Sequence, residues 1–187
     1  MTHVTEDDLD ELEFATLRSG DHTTAARRLS DLAETVSGGV SRANLLLRAG
    51  EQWQQAGEPG KAAELYRQAI ADGGETESDA RAYLADALFE TGEPDEARAL
   101  LAQIRADAPS DPEVYRTVAE VLYAQGDVAG AYEWATAGAD VVLAAGTTVP
   151  AGEDSLESLL RLRGRSRIDL GRAEDHYDAM LDDLLKG

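Results

Sequence analysis

The side chains able to do chemistry are scattered in a way that argues against a catalytic centre. The three histidines, His3, His22 and His176, are far apart in sequence, with no HExxH spacing and no paired metal-ligand pattern. Cysteine is absent, which removes disulfides, thiolate nucleophiles and Cys-based zinc sites. The glycine in Gly164-Arg165-Ser166-Arg167 lies inside a helical pattern, whereas a phosphate loop joins a strand to a helix. Acids are plentiful, but a carboxylate becomes catalytic through burial and mutual placement, which spacing alone does not give. The expectation is a protein that is not an enzyme, with no cofactor and no metal.

Two charged constellations remain. Glu51, Asp86 and Glu120 recur at intervals of 35 and 34 residues, beside Gln54, Gln55, Phe89, Glu90 and Tyr123, with Arg116 among them. Regularly spaced carboxylates around an apolar centre suit a basic or mixed-charge partner. The second stretch is Arg161-Leu162-Arg163-Gly164-Arg165-Ser166-Arg167, with Arg172 beyond. On a helix, Arg161 and Arg165 share one face, and Arg163 and Arg167 another. Without interleaved aromatics it does not read as a nucleic-acid site. Salt links to acids on the preceding helices or on a second copy of the chain are expected, intramolecular ones first.

What must position these side chains is a repeat. Ser78 to Asp111 reads as two amphipathic helices joined by Thr91-Gly92-Glu93-Pro94, and the pattern recurs from Pro112. Gly92 aligns with Gly126, Ala97 with Ala131, Leu84 with Val118, Ala85 with Ala119 and Leu88 with Leu122, each offset by 34 residues. A fixed period of that size signals stacked helical pairs. Clear repeats cover about 43–76, 78–111 and 112–145. Pro59 and Pro94 follow their turns at the first helical position, where a missing amide hydrogen costs nothing.

The ends are degenerate. Residues 1–4 are expected to fray, Thr5 and Asp8 to form a capping box, and Leu9, Leu12 and the Phe14/Leu17 pair to supply an apolar stripe. After Ser19-Gly20-Asp21 a second helix carries Ala25, Ala26, Leu29, Leu32 and Val36 on one side and ends at Ser37-Gly38-Gly39, giving a first repeat over about 5–37. Beyond Val142, residues 146–152 read as a loop and as the most mobile internal segment. The pattern resumes near Glu153 with Leu156, Leu159, Leu160, Gly164 and Ile168, and Gly171 follows Gly126 by 45 residues. The last helix places Tyr177, Met180, Leu181, Leu184 and Leu185 inward, giving a repeat over about 153–186. The sum is ten helices in five antiparallel pairs, no sheet, and a single domain over residues 1–187.

With a small residue in each helix (Ala85, Ala97), the turn Gly92 and the following Pro109, this pattern resembles the tetratricopeptide repeat (TPR), strongly over 43–144 and weakly at the ends. The resemblance implies an all-α, right-handed superhelix of about five antiparallel helix pairs, whose first helices line a concave groove that binds a protein or peptide. On that footing the groove residues are Asn44, Glu51, Gln55, Asp86, Phe89, Glu90, Arg116, Glu120 and Tyr123, with Phe89 and Tyr123 central and Arg116 the only nearby cation. TPR proteins that grip a partner's C-terminal carboxylate use Lys, Arg and Asn in these slots. Only Asn44 and Arg116 have that chemistry here, which disfavours such a clamp. The aromatic that often opens the motif is Leu46, Arg81 and Tyr115, so one copy has it. Ala135 and Gly138 replace larger residues, which implies thinner packing in the fourth pair with Trp134 in compensation. A weaker resemblance runs from Trp134-Ala135-Thr136-Ala137-Gly138 to Asp169-Leu170-Gly171. It is to the TPR region of actinobacterial proteins that also carry a SEC-C motif, a Cys- and His-based metal module whose cysteines this chain lacks.

Composition sets the outer bounds. Of 187 residues 43% are hydrophobic and only 5% aromatic, which suits close helix packing through small side chains. A formal charge of −20 repels nucleic acid and anionic membrane and favours cationic partners. Among 17 basic residues only Lys61 and Lys186 are lysine, a bias expected of a GC-rich bacterial genome. The acidic start lacks a signal peptide's apolar core, and no apolar run approaches about 18 residues, so a cytoplasmic location is expected. The leading reading is a non-catalytic scaffold or adaptor for a protein or peptide. The alternative is a self-associating module, a homodimer for example, whose groove is filled by its own terminal helix or a second protomer.

Overall fold

The computed structural model describes residues 2–146 and 150–186, of which 150–153 are described in backbone only. Among these residues ten helices follow one another in consecutive packed pairs, the repeat architecture that the 34-residue period predicts. The pairs are α1 (Glu6–Ser19) with α2 (His22–Thr35), α3 (Arg42–Gln55) with α4 (Pro59–Asp72), α5 (Ala80–Thr91) with α6 (Pro94–Asp107), α7 (Pro112–Ala124) with α8 (Val128–Ala145), and α9 (Pro150–Asp169) with α10 (His176–Leu184). The chain divides into two compact units, Met1–Ala102 and Gln103–Gly187.

Local chemistry sets the boundaries. Thr5 Oγ1 accepts from the Asp8 amide while the Asp8 carboxylate accepts from the Thr5 amide, so the box satisfies two amides that α1 leaves free. Asp111 caps α7 by accepting from the Glu113 amide at 2.9 Å, with Pro112 at the first helical position. Gly92 ends α5 in the left-handed region at φ 85°, a conformation that β-carbon-bearing residues rarely adopt. Ala97 and Ala131 are fully buried, as the repeat requires.

Two helix glycines are spacers. A β-carbon on Gly50 would lie 2.3 Å from the ring of Tyr66, which is itself fully buried. A β-carbon on Gly138 would lie 2.7 Å from Tyr115 Cβ and 2.8 Å from Leu159 Cδ2. The fourth pair is therefore not thinned at Gly138. The missing side chain lets α8 close on α7 and α9, and Trp134 stacks obliquely on Tyr115 at 5.5 Å.

Several expectations are corrected. Residues 2–4 do not fray: β1 (Thr2–Val4) pairs in parallel with β2 (Val36–Gly39), so a two-stranded sheet exists where none was predicted. Val4 is 1% exposed, and its carbonyl accepts from the Val40 amide at 2.8 Å. Gly39 permits the pairing, since a β-carbon there would overlap the Val4 carbonyl. Accordingly α2 ends at Thr35, and Val36 belongs to the strand. On α1, Leu9, Leu12 and Thr16 form the buried stripe, while Phe14 and Leu17 are 64% and 79% exposed. The 100° step per residue puts Phe14 and Leu17 together on a different face. On α10 no residue is fully buried, but Tyr177, Met180, Leu181 and Leu184 of the expected inner face are half-buried; Leu185, which follows the helix, is half exposed, and Ile168 of α9 is also exposed. Of the expected loop, 147–149 lie outside the described residues, and 150–152 already belong to α9.

Candidate partner-binding site

In the first unit the repeat brings four of the predicted residues into two linked networks. The first centres on Arg48 of α3, whose side chain is only 13% exposed. It pairs with Glu13 of α1, with Glu77 at 2.5 Å, and with Glu6 at 3.9 Å. Asn44 is buried, and its Oδ1 accepts from the Glu77 amide at 3.1 Å, so it holds the acid toward Arg48 and does not face a partner. Glu51 lies one turn beyond Arg48. Burial, with Glu77 and Glu13 nearby, pushes its carboxyl up to about 7, against the pull of Arg48 and a hydrogen bond from Tyr83.

The second network runs through Gln54. Its Nε2 donates to Asp86 Oδ2 at 2.6 Å and to Glu90 Oε1 at 2.5 Å, and its Oε1 accepts from the Tyr66 hydroxyl at 3.0 Å. One amide thus fixes two carboxylates of α5 against α3. Burial raises the Asp86 carboxyl above its ordinary range despite the Gln54 bond, and Glu90 adds to the rise. Phe89 is half-buried with the Arg98 guanidinium 5.9 Å from its ring.

Beside these networks, α1 and α3 flank an open cavity of about 460 Å³, completed by His22 and Glu77. Glu13, Leu17, Glu51 and Glu77 line it, and Gln55, exposed, sits at its edge with His22, whose Nδ1 lies 2.9 Å from Gln52 Oε1. The sequence singled out Glu51 and Gln55. It missed Glu13, Arg48 and Glu77, whose spacing of 35 and 29 residues matches no motif and becomes contact only through stacking.

In the second unit Arg116 is fully engaged on its own helix, by Glu113 and by Glu120 at 2.5 Å. Tyr123 donates to Asp169 Oδ2 at 2.5 Å, and Arg165 lies 4.5 Å above its ring. Arg116 is therefore not the only cation near these residues: Arg165 is a second, delivered by a helix that an insertion displaces from the repeat period.

The arginine run resolves into two faces. Arg163 and Arg167 are buried, and their acidic partners come from the start of α10, not from the preceding helices: the N-cap Asp175 at 2.5 Å and Asp178 at 2.9 Å. Arg163 also lies between the rings of Tyr132 and Tyr177, at 4.7 and 4.2 Å, and donates to the Tyr132 hydroxyl. Its hydrogen bond holds the Asp175 carboxyl below the usual range. Arg161 pairs with Glu157 at the surface. Among the described residues no group of three or more His, Asp or Glu is placed to hold a metal, and no helix is long and apolar enough to cross a membrane.

Known proteins place the fold beside these observations. Residues 54–121 match the family model of the tetratricopeptide repeat. No curated protein is similar to the chain at a significant level. Among solved structures, the nearly identical TPR-like repeats of a Podosopora anserina protein assigned as a kinesin light chain superpose with a TM-score of 0.58 at 21% identity, covering 94% of this chain and 89% of that one. The central third of the chain thus carries the tetratricopeptide signature, and the ten helices have the TPR-like fold.

Proposed function

We propose that the chain is a non-catalytic scaffold that binds a protein or peptide carrying basic residues beside an apolar anchor, on a face lined by the first helices of the repeats. The observation that carries this reading is the gathering of acids on the first helices: Gln54 holds the half-buried Asp86 and the exposed Glu90, and on the same helix Glu51 lies beside Arg48, which Glu13 and Glu77 already pair. Such preorganised acids favour a cation that completes the charge balance. The proposal directs Glu51 and Asp86 of the first unit toward the partner; Glu120 holds the corresponding register position on α7 of the second unit. A net charge of −20 disfavours nucleic acid and anionic membrane.

Peptide display against the immobilised chain tests this. Selected sequences should be rich in Lys or Arg beside Leu, Phe or Trp, and their binding should weaken as salt is raised. Enrichment of acidic sequences, or of free C-terminal carboxylate motifs, would contradict it. A self-associating module is the second reading, favoured by Ile168 and Leu185, 65% and 50% exposed on the last helix pair. Light scattering across concentrations separates the two, a constant monomer mass standing against self-association.

A further inference from the structure

We propose that the cavity between α1 and α3 seats a lysine or arginine side chain of the partner, and that an apolar neighbour of that residue rests on Phe14 and Leu17. The inference rests on the reading of the chain as a binder of basic partners and fixes where the cation goes. Two independent features meet at this place.

The first is a deficit of positive charge. Glu6, Glu13, Glu51 and Glu77 surround one guanidinium, that of Arg48. Arg48 gives its two terminal nitrogens to Glu13 and Glu77 while its Nε lacks a hydrogen-bond partner, and Glu51 takes a hydrogen bond from the neutral Tyr83 hydroxyl. A cavity of about 460 Å³ opens on these carboxylates, large enough for an ammonium or guanidinium on its stem. The second is an exposed apolar pair, with the Arg18 guanidinium 5.8 Å from the Phe14 ring. Phe14 and Leu17, at i and i+3 of α1, are 64% and 79% exposed, and Leu17 also lines the cavity. A basic side chain inside and an apolar one on the rim satisfy both features with one short extended segment, and the charge of the cavity selects that chemistry over an acidic one.

Proton linkage gives the site a signature. Glu51 is faced by Glu13 from α1, His22 from α2, Arg48 on its own helix, Tyr66 from α4, Tyr83 from α5 and Glu77 from the α4–α5 connection. A seated cation favours the ionised Glu51, so complex formation near neutral pH releases a proton and affinity rises from pH 6 to pH 8, by up to about tenfold.

The test is a heteronuclear NMR titration of the full chain with the capped peptide acetyl-Gly-Leu-Gly-Lys-Gly-amide and its glutamine counterpart. The lysine peptide should shift the amides of Leu17, Arg48, Glu51 and Gln52 saturably, at least about fivefold more tightly than the glutamine peptide and more tightly at pH 8 than at pH 6. Glu51→Gln should weaken binding about fivefold and flatten the pH dependence, and Leu17→Ser, on an exposed position, should weaken it without touching the fold. The spectrum of each variant shows whether it is folded, and Glu13→Gln provides a second cavity variant. Shifts confined to Asp86, Phe89 and Glu90 would overturn the seat while leaving the broader reading intact. Equal binding of both peptides would overturn the cation site. The absence of any saturable shift up to about 10 mM peptide would overturn the broader reading too.

Discussion

At Glu51 burial and the neighbouring Glu77 and Glu13 carboxylates outweigh the pull of Arg48, and the carboxyl holds its proton up to about pH 7. A carboxyl whose folded pKa stands above its unfolded value of about 4.5 contributes stability that is full below 4.5 and is lost as pH rises through about 7. Glu51→Gln should therefore be more stable than the wild type at pH 8 by roughly 1–2 kcal/mol, discounted for partial exposure, and nearly equal to it at pH 5. Urea denaturation at the two pH values checks this, and equal differences at both would contradict it. Arg163 presents the reverse case, a buried charge paired through Nε and Nη2, with Nη1 lacking a hydrogen bond. Replacing it by Met removes its bonds to Asp175, Tyr132 and Thr136 and two cation–π contacts. That should cost about 2–4 kcal/mol. Asp175→Asn, where the carboxylate is 35% exposed, should cost under about 1 kcal/mol in the same assay.

At the scale of elements, close approach between helices depends on residues that are small. Ala97→Leu adds three carbons at a fully buried position and should cost on the order of 1–3 kcal/mol. Gly50→Ala gains about 1 kcal/mol of helix propensity, yet it pushes on the Tyr66 ring and should still be destabilising by 1 kcal/mol or more on the order-of-magnitude scale of overpacking. A stable Gly50→Ala protein would show that Tyr66 moves aside freely. Such crossings are legible in the amino-acid sequence, because the glycine turns and the alanines keep one period from Gly92 to Ala131. The strand pair is not. Three residues at the start and four at 36–39 are too short to show alternation, and their pairing is fixed by an approach that Gly39 alone allows. Of the candidate site, Glu51 and Asp86 can be found by register. Glu13, Arg48 and Glu77 come from three different elements and meet only through stacking. The outward turn of Phe14 and Leu17 follows from the burial of Leu9 and Leu12, two faces that apolar character by itself does not separate.

For the whole molecule the dominant physical fact is a formal charge of −20, a field that resists compaction, keeps copies apart and draws cations. Salt should therefore act with opposite sign on stability and on binding. Raising ionic strength from about 0.05 to 0.5 M should raise the melting temperature by a few degrees while weakening a basic partner, since both effects are screened alike. The central claim is that acids on the first helices α3 and α5 hold that partner. Its most direct test is quantitative capture from the lysate of the native host by the wild type and by the variant Glu51→Gln, Asp86→Gln, side by side, with the bound proteins measured after a salt wash. The account predicts that partners with basic segments are retained by the wild type, released by salt and lost from the double variant, whose helical circular dichroism is unchanged. Retention of the same partners at the same level by the folded double variant would contradict it.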